Sequence, residues 1–368
     1  MAATLRLVLH VSLSGIAALA LSRSTSLFVS ALAPSPTTNC NSNNCLILGL
    51  GAVGKEVAQT IAGDFPLVYG TVRNTEATDQ TDEDPSILRK IAFEKLCGSS
   101  TVPSTCSHVL VTIPPSSMGD NHLNNIYDSI VESLPDQSWI GVLSTTGVYG
   151  HHDGKWVDED SDLLCQEGTN AARYRDYETE WQDRIQGTNH ALYIFRCAGI
   201  YGPERSALHT LYKKGIPLTT AEAPGRYSTT TGRQPQITNR IHVTDVARAI
   251  AGGMKEPRDN YSTTHMFNLA DDLPESRGVV MKYAEELLAT NNITLPKTPP
   301  PTTRKASASS TRRAKRRTQE LKRVSNKRMK TLLLKETGLA FPTYKEGLQA
   351  ILALPNMTCV LPAVKDDR

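Results

Sequence analysis

The stretch Cys45-Leu46-Ile47-Leu48-Gly49-Leu50-Gly51-Ala52-Val53-Gly54-Lys55-Glu56-Val57-Ala58 constrains the fold more than any other part of the chain. A short apolar run feeds Gly-x-Gly-x-x-Gly, a helix-forming segment follows to Ala62, and a second apolar run spans Leu67 to Val72. Strand, glycine turn and helix in that order suit the pyrophosphate of a dinucleotide. Gly49 makes the tight turn, Gly51 lets the backbone approach the phosphates, and Gly54 lets the helix lie close to the strand. The positive end of that helix, at Ala52 and Val53, faces the anion. A lone glycine triplet is a weak signal. The strand before this one and the helix after it make it a cofactor site.

From Cys45 onward short apolar runs alternate with longer amphipathic ones, which predicts an α/β fold, a parallel sheet with helices on both faces. Ser107–Ile113, Ser138–Leu143 and Ala191–Phe195 read as further strands, Asn121–Leu134 and Asn170–Gln186 as helices. Pro114 follows the strand ending at Ile113 and lines the cofactor groove in this reading; a plain strand terminator is the alternative. Beyond Gly202 strands grow sparse, as expected of a smaller lobe over the carboxyl ends of the sheet, where such folds bind ligands. The expected organisation is a targeting segment over 1–38, a dinucleotide-binding domain over 44–200 and a substrate-side lobe over 201–355.

Two stretches stand apart. Leu7–Leu21 is apolar but short for a membrane span, a Ser-rich piece with Arg23 follows, and no acid occurs before Glu56. This pattern reads as a signal core with a transit-like tail. The Ser30-Ala31-Leu32-Ala33-Pro34 segment resembles the cleavage region of two-part plastid presequences. It lacks the usual aromatic residue just after the cut. Plastid delivery is the expectation, with the secretory pathway, the mitochondrion or an uncleaved anchor as alternatives; no mature transmembrane segment is expected. The second stretch is an insertion at 296–320. Arg304–Lys330 holds twelve Lys or Arg against Glu320, a charge of +11, so the rest of the chain sums to −8 within a total of +3. Low hydrophobicity and high charge predict disorder in its first half, and a basic helix is expected from about Thr318. Without interleaved aromatic residues it is a poor nucleic-acid site. The seven cysteines form no CxxC pair, which argues against a disulfide framework or zinc site, and no metal is expected. His151-His152-Asp153 reads as a loop.

An ordered set of motifs carries a family resemblance: Gly49-Leu50-Gly51-Ala52-Val53-Gly54, Leu143-Ser144-Thr145-Thr146-Gly147-Val148-Tyr149-Gly150, Trp156-Val157-Asp158-Glu159, Arg196-Cys197-Ala198-Gly199-Ile200-Tyr201-Gly202-Pro203, and Arg240-Ile241-His242-Val243-Thr244-Asp245. Met266-Phe267-Asn268-Leu269-Ala270-Asp271-Asp272 and Lys322-Arg323-Val324-Ser325-Asn326 follow. The set resembles the extended short-chain dehydrogenase/reductases, the NAD-dependent epimerase/dehydratase family, in a branch with GxGxxG. That resemblance implies a Rossmann-type doubly wound parallel sheet with a smaller C-terminal substrate lobe. It also implies oxidoreductase or epimerase/dehydratase chemistry on the hydroxyl or carbonyl of a small molecule. Thr145 stands where the family aligns the substrate oxygen. The family's Tyr-x-x-x-Lys pair, counted back from Glu178, falls on Asn170 and Tyr174, and none of the twelve tyrosines has Lys four residues later.

A phenol near its ordinary pKa of about 10 is a poor base without a neighbouring cation. Tyr174 and Tyr177 are the candidate proton donors, provided that Arg173 or Arg175 supplies the charge; packing on an amphipathic helix is the alternative. The missing pair leaves a second function open, a non-catalytic dinucleotide-binding sensor or scaffold. NAD sites usually carry an acid at the end of the second strand. Here Arg73 follows Val72 instead and suits a 2′-phosphate, so NADP is expected, with NAD possible. Arg205 is a candidate for an anionic substrate or a salt bridge, and His242 and Asp245 read as structural ties between lobe and sheet.

Overall fold

The computed structural model describes residues 43–72, 88–96, 102–115, 121–214, 237–256, 263–293 and 321–354. Their strands are β1 Asn44–Leu48, β2 Val68–Val72, β3 Leu88–Ala92, β4 Cys106–Val111, β5 Trp139–Thr145, β6 Trp156–Val157, β7 Ala191–Cys197, β8 Gly199–Tyr201, β9 Ile237–Thr238, β10 Arg240–His242, β11 Thr264–Leu269, β12 Glu275–Ser276 and β13 Arg323–Val324. Helices are α1 Ala52–Thr60, α2 Asn121–Ser133, α3 Asn170–Ile185, α4 Ala207–Lys214, α5 Val243–Lys255, α6 Arg277–Thr290 and α7 Tyr344–Leu352.

Seven strands form one sheet in the order β11-β7-β5-β4-β1-β2-β3, and every neighbouring pair is parallel. The inner strands β1, β4, β5 and β7 are mainly apolar and almost wholly buried because both faces are covered, whereas edge strand β3 exposes Arg89 and Lys90. Along β1, Cys45 and Ile47 join the core beneath α1 and α5, whereas Leu46 and Leu48 join the core beneath α2 and α3. Strand order reverses between β1 and β4. In such sheets the crevice at the carboxyl ends of the two reversing strands is the ligand site.

The stretch 201–355 divides. α4, α6 and α7 bury Leu208, Leu211, Val280, Met281, Leu288 and Leu348 in a separate third cluster. α5 and β11 instead return to the main sheet, where Val246, Ile250 and Phe267 join its core. Residues after the insertion follow them: Met329, Leu333 and Leu334 pack into the same cluster. Of the basic helix expected from about Thr318, residues 321–326 are not helical, and only a short helical segment follows, ending in a π-turn over Met329–Leu333. Lys322 is buried and donates to the Gly150 carbonyl at 3.0 Å, and β13 pairs in parallel with β6. Extended backbone lets Lys322 and Arg323 reach the carbonyls of Gly150 and Gly154, which a helix would have turned away. The targeting segment and the expected disordered insertion lie outside the described residues. Among the described residues no helix is long and apolar enough to cross a membrane.

Candidate functional site

The glycine turn is built as three different constraints. Gly49 has φ +100°, its N–H donates to Thr71 Oγ1 at 2.8 Å, and its carbonyl accepts from Thr112 Oγ1 at 2.6 Å. A Cβ on Gly54 would lie 2.2 Å from the Gly49 carbonyl oxygen, so helix and turn touch through backbone. Gly51 is different. It precedes α1 with ordinary extended backbone, φ −76°, and a Cβ there would meet none of the described residues within 4 Å. Open space therefore faces the first turn of α1, where amides have no intrahelical acceptor and no acid competes. Ala52 is exposed and Val53 half-buried in that turn, and exposed Pro114 stands after β4 on the other side of the reversal point. Thr71 and Thr112, which hold Gly49, belong to no motif and were invisible in the sequence. Arg73 lies outside the described residues.

Further along the same sheet edge, Thr145 ends β5 and its Oγ1 accepts from the Gly147 N–H at 3.1 Å, capping a short 3-10 turn. Its register partner in β7 is Cys197. Tyr174 packs against both main-sheet clusters, where the two faces meet, with its phenol beside the Cys197 thiol. Burial raises its pKa, so the phenol stays protonated. Tyr177 does not join this group: it is 2% exposed, points into the core and meets Trp181 edge-on at 6.2 Å. One helical step of three residues carries it off the crevice, and burial pushes its hydroxyl well above the ordinary value. Arg175 does not serve Tyr174, because Glu167 at 2.6 Å and Asp176 at 2.8 Å engage it; Arg173 is exposed. Asn170 opens α3, also exposed.

Beneath Thr145 lies a buried polar chain whose members, Arg328 apart, stand in the sequence motifs or beside them but whose connection the sequence did not show. Ser144 donates to Glu178 Oε1, and Arg196 grips Glu178 through Nη2 at 2.7 Å and Nε at 3.1 Å. Arg196 Nη1 donates to the Tyr149 hydroxyl at 3.0 Å, which in turn donates to Asn268 Oδ1 at 2.7 Å. The Asn268 N–H then donates to Glu159 Oε1 at 2.8 Å, and Arg328 stands 3.7 Å from that carboxylate. Burial works against the Arg196 cation, but Glu178 and Tyr149 outweigh it and hold the pKa up.

A cavity of about 270 Å³ opens on the small-lobe side, between β8, the β9–β10 link, the start of α6 and α7. Arg205, Arg240 and Arg277 line it. Arg240 is tied down, donating to the Thr238 and Glu275 carbonyls at 2.9 Å. Arg205 and Arg277 are exposed, and no acid among the described residues lies within ion-pair distance of either. Of His242 and Asp245, His242 caps its own helix α5, whereas Asp245 reaches a distant segment of the chain. His242 Nδ1 accepts from the Thr244 N–H at 3.2 Å, and Asp245 accepts from the Ala340 and Phe341 N–H groups at 2.7 and 2.9 Å. His151 pairs with Asp153 at 2.9 Å and accepts from the Leu321 N–H, while His152 turns to the Asp162 carbonyl.

The chain matches no known family profile and no curated protein. Among solved structures it is similar to a conserved protein of unknown function from Silicibacter pomeroyi, at 30% identity and TM-score 0.61, covering 84% of this chain and 98% of that one. The chain belongs to the same family as that protein, and its parallel sheet has the fold of NAD-dependent epimerases and dehydratases. Its fold is shared with UDP-glucuronic acid 4-epimerase from Bacillus cereus, solved with UDP-glucuronic acid and NAD, at 15% identity and TM-score 0.57 over 83% of this chain and 97% of that one. The dTDP-glucose 4,6-dehydratase of Bacillus anthracis, solved with NAD, has the same fold at 12% identity and TM-score 0.57, covering 84% of this chain and 95% of that one. The glycine turn follows β1 and Thr145 ends β5, both at carboxyl ends of strands in one parallel sheet. Asn170 and Tyr174 occupy the two positions to which the resemblance assigns a Tyr-Lys pair.

Proposed function

We propose that the chain is a nicotinamide-dinucleotide-dependent oxidoreductase or epimerase/dehydratase-like enzyme acting on a small hydroxyl- or carbonyl-bearing molecule. The observation that carries this reading is Gly51. Neither its backbone angles nor its packing requires glycine, so close approach of a ligand to the helix end supplies the reason. NAD in the epimerase and dehydratase of the same fold supports it. Gly49, Gly51, Ala52, Val53 and Gly54 would hold the pyrophosphate and Pro114 would wall the groove. Arg73 would pair with a 2′-phosphate, which favours NADP over NAD. The bound dinucleotide supplies hydride chemistry. Thr145, whose Oγ1 is oriented by the Gly147 N–H, retains its own proton to donate to a substrate oxygen. Tyr174 adds a neutral donor rather than a base.

The second reading, a dinucleotide-binding sensor or scaffold without turnover, is favoured by Asn170 and Tyr174 standing where the family's acid–base pair belongs. Nicotinamide fluorescence separates the cofactors: NADPH is expected to bind about ten- to hundredfold tighter than NADH, the worth of one charge-assisted pair. Arg73→Ala should erase that preference, and equal affinities would remove the NADP assignment. Screening NADPH oxidation against aldehydes, ketones and nucleotide sugars then tests turnover. Thr145→Ala should cost more than Tyr174→Phe; general acid–base groups contribute about 10²–10⁴-fold. A dead Tyr174→Phe that still binds NADPH, beside an active Thr145→Ala, would reverse the roles. Tight NADPH binding with no turnover on any substrate class supports the sensor. We also propose that residues 1–38 direct the chain to a plastid, tested by the location of a fluorescent protein fused behind them.

A further inference from the structure

We propose that the cavity between β8 and α6 seats a compact dianion, a small molecule bearing a phosphate monoester or two carboxylates, held by Arg205 and Arg277. This names the substrate class for the enzyme reading above and rests on it.

Three guanidinium groups meet at one cavity, and two of them lack an acid partner among the described residues. Each carries five donors in a planar fork that matches carboxylate or phosphate oxygens. Arg240 is fixed by backbone carbonyls and contributes standing positive charge. Arg205 is set in place by a paired bridge across its turn: its N–H donates to the Gly202 carbonyl at 3.1 Å and its carbonyl accepts from the Gly202 N–H at 2.9 Å. Arg277 is the first residue of α6, whose amide end adds positive potential at the same point. Asp271 and Glu275 act on Arg240, but Arg205 and Arg277 have no acid partner among the described residues, and a ligand with two negative charges balances those two cations.

Size and wall chemistry narrow the ligand. At about 270 Å³ the cavity is just smaller than the roughly 300–1,000 Å³ usual for organic ligands. Ile200, Val280, Met281 and Leu348 give it apolar walls. Its aromatic residues, Tyr201 and Tyr344, are 8% and 2% exposed, so neither offers a free ring face for a nucleobase to stack on. Gly199, at the cavity wall, follows two residues after Cys197, the register partner of Thr145. That span is about 7 Å of extended chain, and the strand spacing adds about 4.8 Å before Thr145, which does not itself line the cavity, is reached. These features fit a small acid better than a nucleotide sugar.

Calorimetric titration of the full chain with glycerol 3-phosphate, succinate and UDP-glucose tests the proposal. One of the two dianions should bind, with Arg205→Gln and Arg277→Gln each weakening it by about tenfold or more. Both variants should keep the wild-type melting temperature and NADPH affinity, since both side chains are exposed. Preference for glycerol 3-phosphate identifies a phosphate ester and preference for succinate a diacid; either supports the proposal. Binding of neither dianion, or binding that both variants leave unchanged, would overturn it. So would UDP-glucose binding tighter than both and lost in the same variants. The NADPH titration stands apart: its failure removes the cofactor reading, whereas its success without dianion binding removes only this inference.

Discussion

Gly51 and Gly54 stand three residues apart and answer to different neighbours. A methyl group on Gly54 collides with the Gly49 carbonyl at 2.2 Å, whereas one on Gly51 enters open space. Gly54→Ala should therefore lower the melting temperature by overpacking, worth about 1–3 kcal/mol. Gly51→Ala should leave stability nearly unchanged and weaken NADPH binding, read by nicotinamide fluorescence. A Gly51→Ala chain that binds normally would show that nothing approaches the helix end there. Asp271 supplies a second test at this scale. Burial raises its pKa to about 7, against the Leu273 N–H bond and Arg240, which favour the carboxylate. The folded chain thus holds a proton that the unfolded chain releases between about pH 4 and 7. Its contribution to stability is complete below that window and lost as pH rises through about 7. Asp271→Asn stays neutral, so its melting temperature relative to wild type should be higher at about pH 8.5 than at about pH 5. Equal differences at both pH values would show that Asp271 does not titrate in this range.

At the scale of elements, α3 is held to the sheet by the Glu178–Arg196 pair, both partners within 3% of full burial. The same pair reaches β5 through Ser144 and the turn after it through Tyr149, so Thr145 lies between two anchored residues. Removing one member leaves the other charge buried and unpaired. Arg196→Met alone should cost about 3–5 kcal/mol in urea denaturation. Combined with Glu178→Leu the loss should shrink, because an apolar pair of similar volume removes the stranded charge. A double variant as unstable as the sum of the singles would show that the pair is not the reason. α3 also explains why its two tyrosines differ. Residues three apart share a face but not a depth, so Tyr174 reaches the sheet edge and Tyr177 the core.

For the whole molecule, the insertion joins two segments that are anchored on their own. α6 ends at Thr290, and Asn292 turns the chain away with φ 55°. Leu321 resumes it with its N–H donated to His151 Nδ1, while its carbonyl accepts from the His152 and Gly154 N–H groups at 3.0 Å. Deleting Thr303–Arg317, which is rich in charge and poor in apolar residues, should leave melting temperature and NADPH affinity nearly unchanged. A large drop in melting temperature would place that segment inside the fold.

Local chemistry determined much of this protein without help from the tertiary structure. Apolar runs broken by a glycine turn and a helix specify β1 to β2, because strand burial, positive φ and helix approach are all written in adjacent residues. The ordered motifs placed Thr145 at a strand end for the same reason. What lay beyond the sequence depends on residues far apart in the chain. Thr71 and Thr112 hold Gly49 from two other strands. Arg175 is claimed by Glu167 across a turn, and the return of β11 beside β7 draws residues of the expected small lobe into the main sheet. Lys322 and Arg323, read as part of a charged helix, follow the same rule. Their charges are satisfied by carbonyls some 170 residues earlier in the chain, and only the assembled fold brings those partners within reach.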